Sequence, residues 1–177
     1  VEAWDMRDRR ATQEGVEALM KRAGLGTKEN SPFLGALVNN AGLAVGKGPF
    51  DQGLDDDWDR MLDTNVKGLL FLARACVPFM TAGSRMVNMG SIAGKQVYPG
   101  GNVYCASKHA VDALSQAMRI DLVDRGVGVS QICPGAAETE FSNVRFKGNQ
   151  AEADAVYQGY DPLVAQDIAE AVSFVLS

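Results

Sequence analysis

Apolar and polar residues near the start of the chain form patterns that alternate between helix and buried strand. Residues 8–24 have apolar side chains at the spacing of one helix face, and Gly24 is a natural end for that helix. Residues 34–38 form a short, continuous apolar run, which is typical of a strand covered on both faces. Residues 1–5 have the pattern of the end of an earlier strand. The opening of the chain therefore predicts strand, helix and strand in turn.

The remaining sequence continues this alternation. A glycine-rich loop at residues 42–53 leads to a helix that is apolar over more than one face. Residues 136–159 are polar and show no sustained period, which is typical of a lid or a substrate loop. The predicted helices and strands are, in order, a long helix over residues 57–81, a strand over 85–89, a helix over 102–124, a strand over 127–133 and a helix over 162–177.

Strands that alternate with helices of this length predict an α/β fold with a doubly wound parallel sheet between two helical layers. In such a sheet, ligands bind beyond the carboxyl ends of the strands. Polar residues and glycines follow all three predicted strands at that end, as Asn39-Asn40-Ala41-Gly42, Gly90-Ser91 and Pro134-Gly135. The pattern therefore places a binding site at one edge of the sheet.

Composition and charge narrow the class of protein. A chain of 177 residues that is 46% hydrophobic is enough for one domain with one core, predicted over residues 1–177. The net charge is −5 and there is no basic tract, which argues against nucleic acid or an acidic membrane surface as a partner. Three widely spaced cysteines and no apolar run long enough to span a membrane favour a cytoplasmic protein with free thiols. No group of residues has the spacing of metal ligands.

Tyr104 and Lys108 are the residues that suggest chemistry. They stand four apart in a predicted helix, so a phenol and an ammonium share one face, and Ser91 precedes them in a loop. A cation about 4 Å from a phenol favours phenolate by about 4 kcal/mol at an effective dielectric near 20. This spacing predicts a proton-transfer site with Lys108 lowering the pKa of Tyr104. The alternative at this point is a solvated helix face.

Taken together and in this order, the motifs resemble the short-chain dehydrogenase/reductase family, whose fold is Rossmann-like. A narrower resemblance joins residues 100–104 and 139–148 to the NADP-dependent 3-hydroxy acid dehydrogenases, which oxidise serine, allo-threonine and related acids. The residues that carry the family resemblance are Asn39-Asn40-Ala41-Gly42, Asn65, Ser91, Tyr104, Lys108, Pro134-Gly135 and Thr139.

The resemblance implies a catalytic role for four residues. Tyr104 is expected to act as the general acid/base, and Ser91 to hold the substrate oxygen. Lys108 is expected to bind the nicotinamide ribose beside Tyr104. Asn65 is expected to interrupt its helix and seat a water that relays protons to Lys108. Arg145, in the polar lid segment, is expected to hold the substrate carboxylate through two parallel hydrogen bonds, the alternative being a solvated arginine.

The same resemblance implies a cofactor site. NADP is the expected cofactor, and NAD remains open because the residues that select between them are not in this sequence. Asp5 and Met6 would recognise adenine, and Ala41 and Gly42, following Asn39, would pack on the adenosine ribose. The residues expected along the nicotinamide, besides Tyr104 and Lys108, are Pro134, Gly135 and Thr139.

Two family features are missing from the sequence, and they leave alternative functions open. The resembled family begins with a strand, a glycine-rich phosphate-binding turn and a helix, so the expectation is a chain without roughly its first 60 residues and without its last strand. A remnant unable to bind the cofactor pyrophosphate is one alternative to an oxidoreductase. A carbonyl reductase with another substrate is a second. The two long helices predict a homodimer or homotetramer.

Overall fold

Three parallel strands form the centre of the structure, a computed structural model that describes residues 3–26, 32–159 and 161–177. Strands β1 (Ala36–Asn39), β2 (Arg85–Met89) and β3 (Gly128–Ile132) lie in the order β1-β2-β3. Asn39 pairs with Asn88 on β2, and Asn88 pairs with Gln131 on β3. The three strands therefore end at the same edge of the sheet.

Helices connect the strands and cover both faces of the sheet. A second, two-stranded sheet pairs β4 (Ala137–Glu138) with β5 (Leu163–Val164) in parallel. The α-helices of the described residues are α1 (Arg9–Arg22), α2 (Asp55–Leu62), α3 (Leu69–Cys76), α4 (Asn102–Leu122), α5 (Glu140–Arg145), α6 (Gln150–Ala155) and α7 (Ala165–Leu176).

The alternation of side chains along β2 shows which helices cover which face. Met86 packs in a core cluster with Ala73 of α3 and Leu122 of α4, so this face of the sheet carries α3 and α4. Met89, three residues further along the strand, points to the opposite face because side chains alternate along a strand. There it lines a cavity together with Ile168 of α7. The prediction of a doubly wound parallel sheet between two helical layers is confirmed.

The long helix predicted over residues 57–81 is interrupted in the structure. A π-helix over Asp63–Gly68 separates α2 from α3, and a 3-10 turn over Val77–Phe79 follows α3. The π-helix contains Asn65, whose side chain forms hydrogen bonds outside the helix. An extra residue in one turn is a common way to turn such a side chain towards a functional site.

Two other predictions from the hydrophobic pattern need correction. Residues 136–159 are not a loop without regular structure, because they contain β4, α5 and α6. These helices have only six residues each, too few for a periodic pattern. The strand end predicted over residues 1–5 is absent at residues 3–5, and residues 1–2 lie outside the described part of the chain.

A chain of polar side chains crosses the core between β1 and α4. Nδ2 of Asn39 donates to Oδ1 of Asn88 at 2.7 Å, and Nδ2 of Asn88 donates to Oγ of Ser115 at 3.0 Å. Ser115 in turn donates to the carbonyl of Val111 at 2.7 Å. All three side chains are buried. Since buried amides need partners, this chain stabilises one register of β1, β2 and α4.

We expect Asn88→Ala to lower the free energy of unfolding by about 2–4 kcal/mol. The substitution leaves the buried amide of Asn39 without its acceptor and also opens a cavity. Urea denaturation followed by circular dichroism measures the change. Exposed Asn149→Ala, which removes the cap of the short helix α6, is the control and should cost about 1 kcal/mol. Equal losses in the two variants would contradict a special role for the buried chain.

Candidate active site

A cavity of about 690 Å³ opens where the three parallel strands end. Its floor includes Met89 and Gly90 at the end of β2, and its sides come from the loops after β1 and β3. The helices α4, α5 and α7 complete the wall. The binding site predicted at the carboxyl edge of the sheet therefore exists as a concave surface.

Ser91, Tyr104 and Lys108 come together in this cavity. Tyr104 and Lys108 lie on one face of α4, and they are only 8% and 7% exposed. The Ser91 side chain lies beside the Tyr104 hydroxyl and interacts with it. Nζ of Lys108 lies 6.0 Å from the centroid of the Tyr104 ring and donates to the carbonyl of Met89 at 2.8 Å. The structure thus brings these three predicted residues to one site.

Gly94 allows the loop that carries Ser91 to approach α4 closely. A Cβ atom at position 94 would lie 2.6 Å from the carbonyl oxygen of Lys108, which is closer than such atoms can approach. Ser91 also accepts a hydrogen bond from the amide of Ala93 at 3.1 Å, which fixes the turn. Loop and helix are therefore in direct backbone contact beside Tyr104 and Lys108.

Burial determines the ionisation of these groups. It raises the pKa of Tyr104 to about 12, while the hydrogen bond from Ser91 opposes the rise. Burial also lowers the pKa of Lys108 to about 8. The net pKa shift of Tyr104 is therefore upward, and Lys108 is not among the groups that cause it, because its ammonium bonds to a backbone carbonyl and not to the phenol. The prediction that Lys108 lowers the pKa of Tyr104 stays a prediction.

Asn65 anchors the loop that follows β1. Its Oδ1 accepts from the amide of Leu43 at 2.8 Å, and its Nδ2 donates to the carbonyl of Leu43 at 2.8 Å and to Ser107 at 3.0 Å. A Cβ at Gly42 would lie 3.2 Å from Oδ1 of Asn65 and 3.6 Å from Nζ of Lys108. Asn65 interrupts its helix as expected. Its role in a proton relay stays a prediction.

Arg145, the last residue of α5, lies in an adjoining cavity of about 240 Å³ that shares Ser91 and Tyr104 with the larger one. Its guanidinium carbon is 5.7 Å from the centroid of the Tyr104 ring. Nη1 donates to the hydroxyl of Tyr98 at 2.8 Å, whereas Nε and Nη2 are buried without a partner. The alternative of a solvated arginine is wrong, because this guanidinium is largely enclosed beside the tyrosine.

Four of the predicted cofactor residues do not line the cavity. Asp5 is exposed and forms an ion pair with Arg7 at 2.6 Å, which lowers the pKa of its carboxyl to about 2. Met6 packs against Gly68. Ala41 is exposed, and Asn39 is buried in the core chain described above. The predicted contacts of these residues with the adenosine part of a cofactor lie outside this cavity and stay predictions.

The loop after β3 provides the other predicted residues. Pro134, Gly135 and Thr139 all line the cavity. Thr139 also caps α5, since its Oγ1 accepts from the amide of Phe141 at 3.2 Å. Its hydroxyl proton remains available to a ligand. These positions are compatible with the predicted contacts, which stay predictions.

Sequence analysis missed several residues of the site. Phe141 packs on Tyr104 at 5.6 Å between ring centroids. Ile168 and Val172 of α7 line the cavity from the second face of the sheet, and Tyr98 holds Arg145. The spacing of Ile168 and Val172 was visible as a helix pattern, but nothing in it indicated the cavity. No local sequence signal marks Phe141 or Tyr98 as part of the site.

Two kinds of feature are absent from the described part of the chain. Residues 3–26, 32–159 and 161–177 contain no group of three or more His, Cys, Asp or Glu placed to hold a metal ion. Over the same ranges, no helix has both the length and the apolar character that a membrane crossing requires.

Comparison with known proteins identifies the family. The profile of the short chain dehydrogenases matches residues 2–150. The chain belongs to the short-chain dehydrogenase family. A solved serine dehydrogenase in complex with NADP+ is 41% identical to this chain and superimposes on it with a TM-score of 0.86. The alignment covers 97% of this chain and 67% of the serine dehydrogenase. The Ser91, Tyr104 and Lys108 cluster therefore lies in a short-chain dehydrogenase scaffold.

Two kinds of curated protein are similar to this chain. Sulfoacetaldehyde reductase 2 of Chromohalobacter salexigens is 41% identical over 96% of the chain. The NADP-dependent 3-hydroxy acid dehydrogenase YdfG of Escherichia coli is 46% identical over 78% of the chain. The chain spans 66% of the first relative and 57% of the second.

We expect Lys108→Met to increase the free energy of unfolding at pH 7 by about 1–3 kcal/mol. Burial holds the pKa of Lys108 at about 8, below its ordinary 10.5, so the folded state carries a penalty for the ammonium below pH 8. The penalty is relieved between pH 8 and 10.5, where the folded protein has lost a proton that the unfolded chain keeps. The advantage of the variant should therefore shrink over that range.

Urea titrations of wild type and Lys108→Met at pH 7, 8.5 and 10 measure this difference. Lys67→Met, at an exposed lysine paired with Asp63, is the matched control. A stability difference for Lys108→Met that is independent of pH would contradict the proposed penalty.

Proposed function

We propose that the chain carries the catalytic centre of an NADP-dependent oxidoreductase that acts on small acids with a hydroxyl or carbonyl group two bonds from the acid group. The observation that carries the proposal is the packing of Arg145 against Tyr104. It places a guanidinium with two unpaired donors beside a phenol that interacts with a serine hydroxyl. A substrate that bears both an anion and a carbonyl would match both features.

The described residues fit the nicotinamide half of the cofactor. Gly42 and Gly135 line the cavity without side chains, and the space around a Cβ at position 135 is open. Lys108 supplies an ammonium group at the floor of the same cavity. We propose that Lys108 binds the nicotinamide ribose and that Pro134, Gly135 and Thr139 hold the ring. When bound, the cofactor supplies or accepts the hydride.

Tyr104 would exchange the proton. Because its pKa is raised to about 12, Tyr104 is a neutral phenol at physiological pH and can donate a proton to the oxygen of a carbonyl substrate during reduction. Ser91 would donate a second hydrogen bond to that oxygen. The Lys108 ammonium would stabilise the phenolate that forms. In oxidation the phenolate of Tyr104, stabilised by the Lys108 ammonium, would take the proton from the substrate hydroxyl.

Arg145 would determine the substrate class. Nε and Nη2 lie on one edge of the guanidinium, and two donors on one edge match two oxygens of a carboxylate. A 3-hydroxy acid such as serine or allo-threonine places its carboxyl carbon two bonds from the reacting carbon. The 46% identity to a 3-hydroxy acid dehydrogenase supports this choice.

A second candidate substrate is sulfoacetaldehyde. Two sulfoacetaldehyde reductases of Chromohalobacter salexigens match 96% and 98% of the chain, which is more than the hydroxy acid dehydrogenases match. Sulfoacetaldehyde also carries its anion two bonds from the reacting carbon, and a sulfonate can accept the same two hydrogen bonds. The two candidates therefore share the proposed roles of Arg145 and Tyr104.

We also propose that the protein assembles as a homodimer or homotetramer through the helical segments of α2, α3 and α4. Ile120 and Val123 near the end of α4 are 74% and 63% exposed, and Leu62 and Leu70 are also exposed. Apolar surfaces of this kind on two helices are suited to pairing between identical subunits.

The test of the oxidoreductase assignment is Tyr104→Phe in the full-length gene product. We expect at least a hundredfold loss of kcat for NADPH-dependent reduction, since the phenol is the proton donor. NADPH binding, measured by fluorescence titration, should change less than threefold. Retention of kcat, or absence of NADPH binding by the wild-type gene product, would overturn the assignment. Titration of the 177-residue chain itself would show whether these residues alone bind the nucleotide.

The test of the substrate class is Arg145→Ala. We expect the KM for L-serine to rise at least tenfold because its carboxylate loses two hydrogen bonds. The KM for 2-amino-1,3-propanediol, in which a hydroxymethyl group replaces the carboxylate, should stay within twofold. Arg10→Ala, at an exposed arginine of α1, is the matched control. A larger kcat/KM for sulfoacetaldehyde than for L-serine in the wild type would favour the second candidate.

A further inference from the structure

The guanidinium of Arg145 is enclosed by aromatic rings. Its central carbon lies 5.2 Å from the centroid of Tyr98, 5.7 Å from that of Tyr104 and 6.0 Å from that of Phe146. Among the described residues, no carboxylate forms an ion pair with it. Rings attract a cation but accept no strong hydrogen bond, so they leave the direction of the guanidinium donors undetermined.

One hydrogen bond determines that direction. Nη1 of Arg145 donates to the hydroxyl of Tyr98 at 2.8 Å. Within the described residues, the guanidinium makes no other hydrogen bond. The donors left buried and unpartnered are Nε and Nη2. They form the edge of the guanidinium whose two N–H groups point in parallel. With Nη1 held by Tyr98, this edge is the one available to a ligand with two oxygens.

Tyr98 is itself fixed to the start of the catalytic helix. A Cβ at Gly101 would lie 2.4 Å from the ring of Tyr98, so the ring rests directly on the backbone before α4. The amide of Gly101 donates to the carbonyl of Tyr98 at 3.1 Å. The hydroxyl of Tyr98 also interacts with the side chain of Cys105 in the first turn of α4. Tyr98 thus ties Arg145, which belongs to α5, to the helix that carries Tyr104.

We propose that Tyr98 is a positioning residue that sets which edge of the Arg145 guanidinium faces the acid group of the substrate. Tyr98 does not touch the reacting atoms. It acts by holding the Nε and Nη2 edge towards the anion, so that loss of its hydroxyl weakens binding of the acid group more than it slows the chemical step. This inference rests on the proposed function, in which Arg145 binds the acid group.

The experiment is Tyr98→Phe in the full-length gene product, because phenylalanine keeps the ring against Gly101 and removes only the hydroxyl. We expect the KM for L-serine to rise about tenfold while kcat changes less than threefold. The KM for neutral 2-amino-1,3-propanediol should stay within twofold. An unchanged KM for L-serine, or equal changes for both substrates, would overturn the role of Tyr98.

Tyr157→Phe is the matched control for loosening of the segment that carries Arg145. The hydroxyl of Tyr157 bonds to Ser142 of α5 at 2.6 Å and to the carbonyl of Ala137 at 3.0 Å, and it makes no bond to Arg145. If the two tyrosine variants raised the KM for L-serine equally, general loosening would explain the effect and the inference would fail.

A binding measurement distinguishes the proposed function, in which Arg145 binds the acid group, from the proposed role of Tyr98. Malonate carries two carboxylates and cannot be reduced or oxidised here, so its effect on the thermal unfolding midpoint reports anion binding without turnover. We expect Tyr98→Phe and Arg145→Ala each to reduce the stabilisation by malonate at least by half. If only Arg145→Ala did so, the role of Tyr98 would fail and the proposed function would stand. If neither did, the anion site itself would fail.

Discussion

Removal from water is the physical constraint on which the site depends. Tyr104, Lys108 and the donors of Arg145 all lie within protein, and none of the described carboxylates forms an ion pair with either cation. Enclosing charge in this way is unfavourable, and it explains the opposite pKa shifts of the phenol and the amine. An arrangement that opposes folding in this way persists where it serves binding or catalysis, since anionic ligands then meet unscreened donors.

Hydrogen bonds between neighbouring elements, and not long-range electrostatic attraction, hold these groups in place. Asn65 joins the loop after β1 to α4 through Leu43 and Ser107, and the Asn39, Asn88 and Ser115 chain joins the strands to the same helix. Both sets of contacts reach α4, at Ser107 and at Ser115, so the helix with Tyr104 and Lys108 is held from both the loop side and the strand side. Precise placement of catalytic groups requires support of this kind.

Sequence analysis made correct predictions for features that depend on interactions between residues close together in the chain. The strand at residues 85–89 follows from its apolar run and its glycine stop, and it coincides with β2. The meeting of Ser91 with Tyr104 follows from helix spacing and from the common end of parallel strands. The π-helix at Asn65, the position of Tyr98 and the depth of burial depend on tertiary packing, which no short pattern encodes. For the same reason the sequence did not indicate that burial raises the pKa of Tyr104: spacing indicates a neighbouring cation, but it does not indicate how much water remains.

The contact at Gly94 has a consequence for how this site can evolve. Because a bare Cα separates the serine loop from the backbone of Lys108, the loop and the helix are already at their minimum distance, and any added side chain can only push them apart. Sequence change around the cavity can therefore alter its walls, such as Phe141 and Val172, while the spacing of Ser91, Tyr104 and Lys108 stays constant. Cavities of new shape can arise on this scaffold without moving these three side chains.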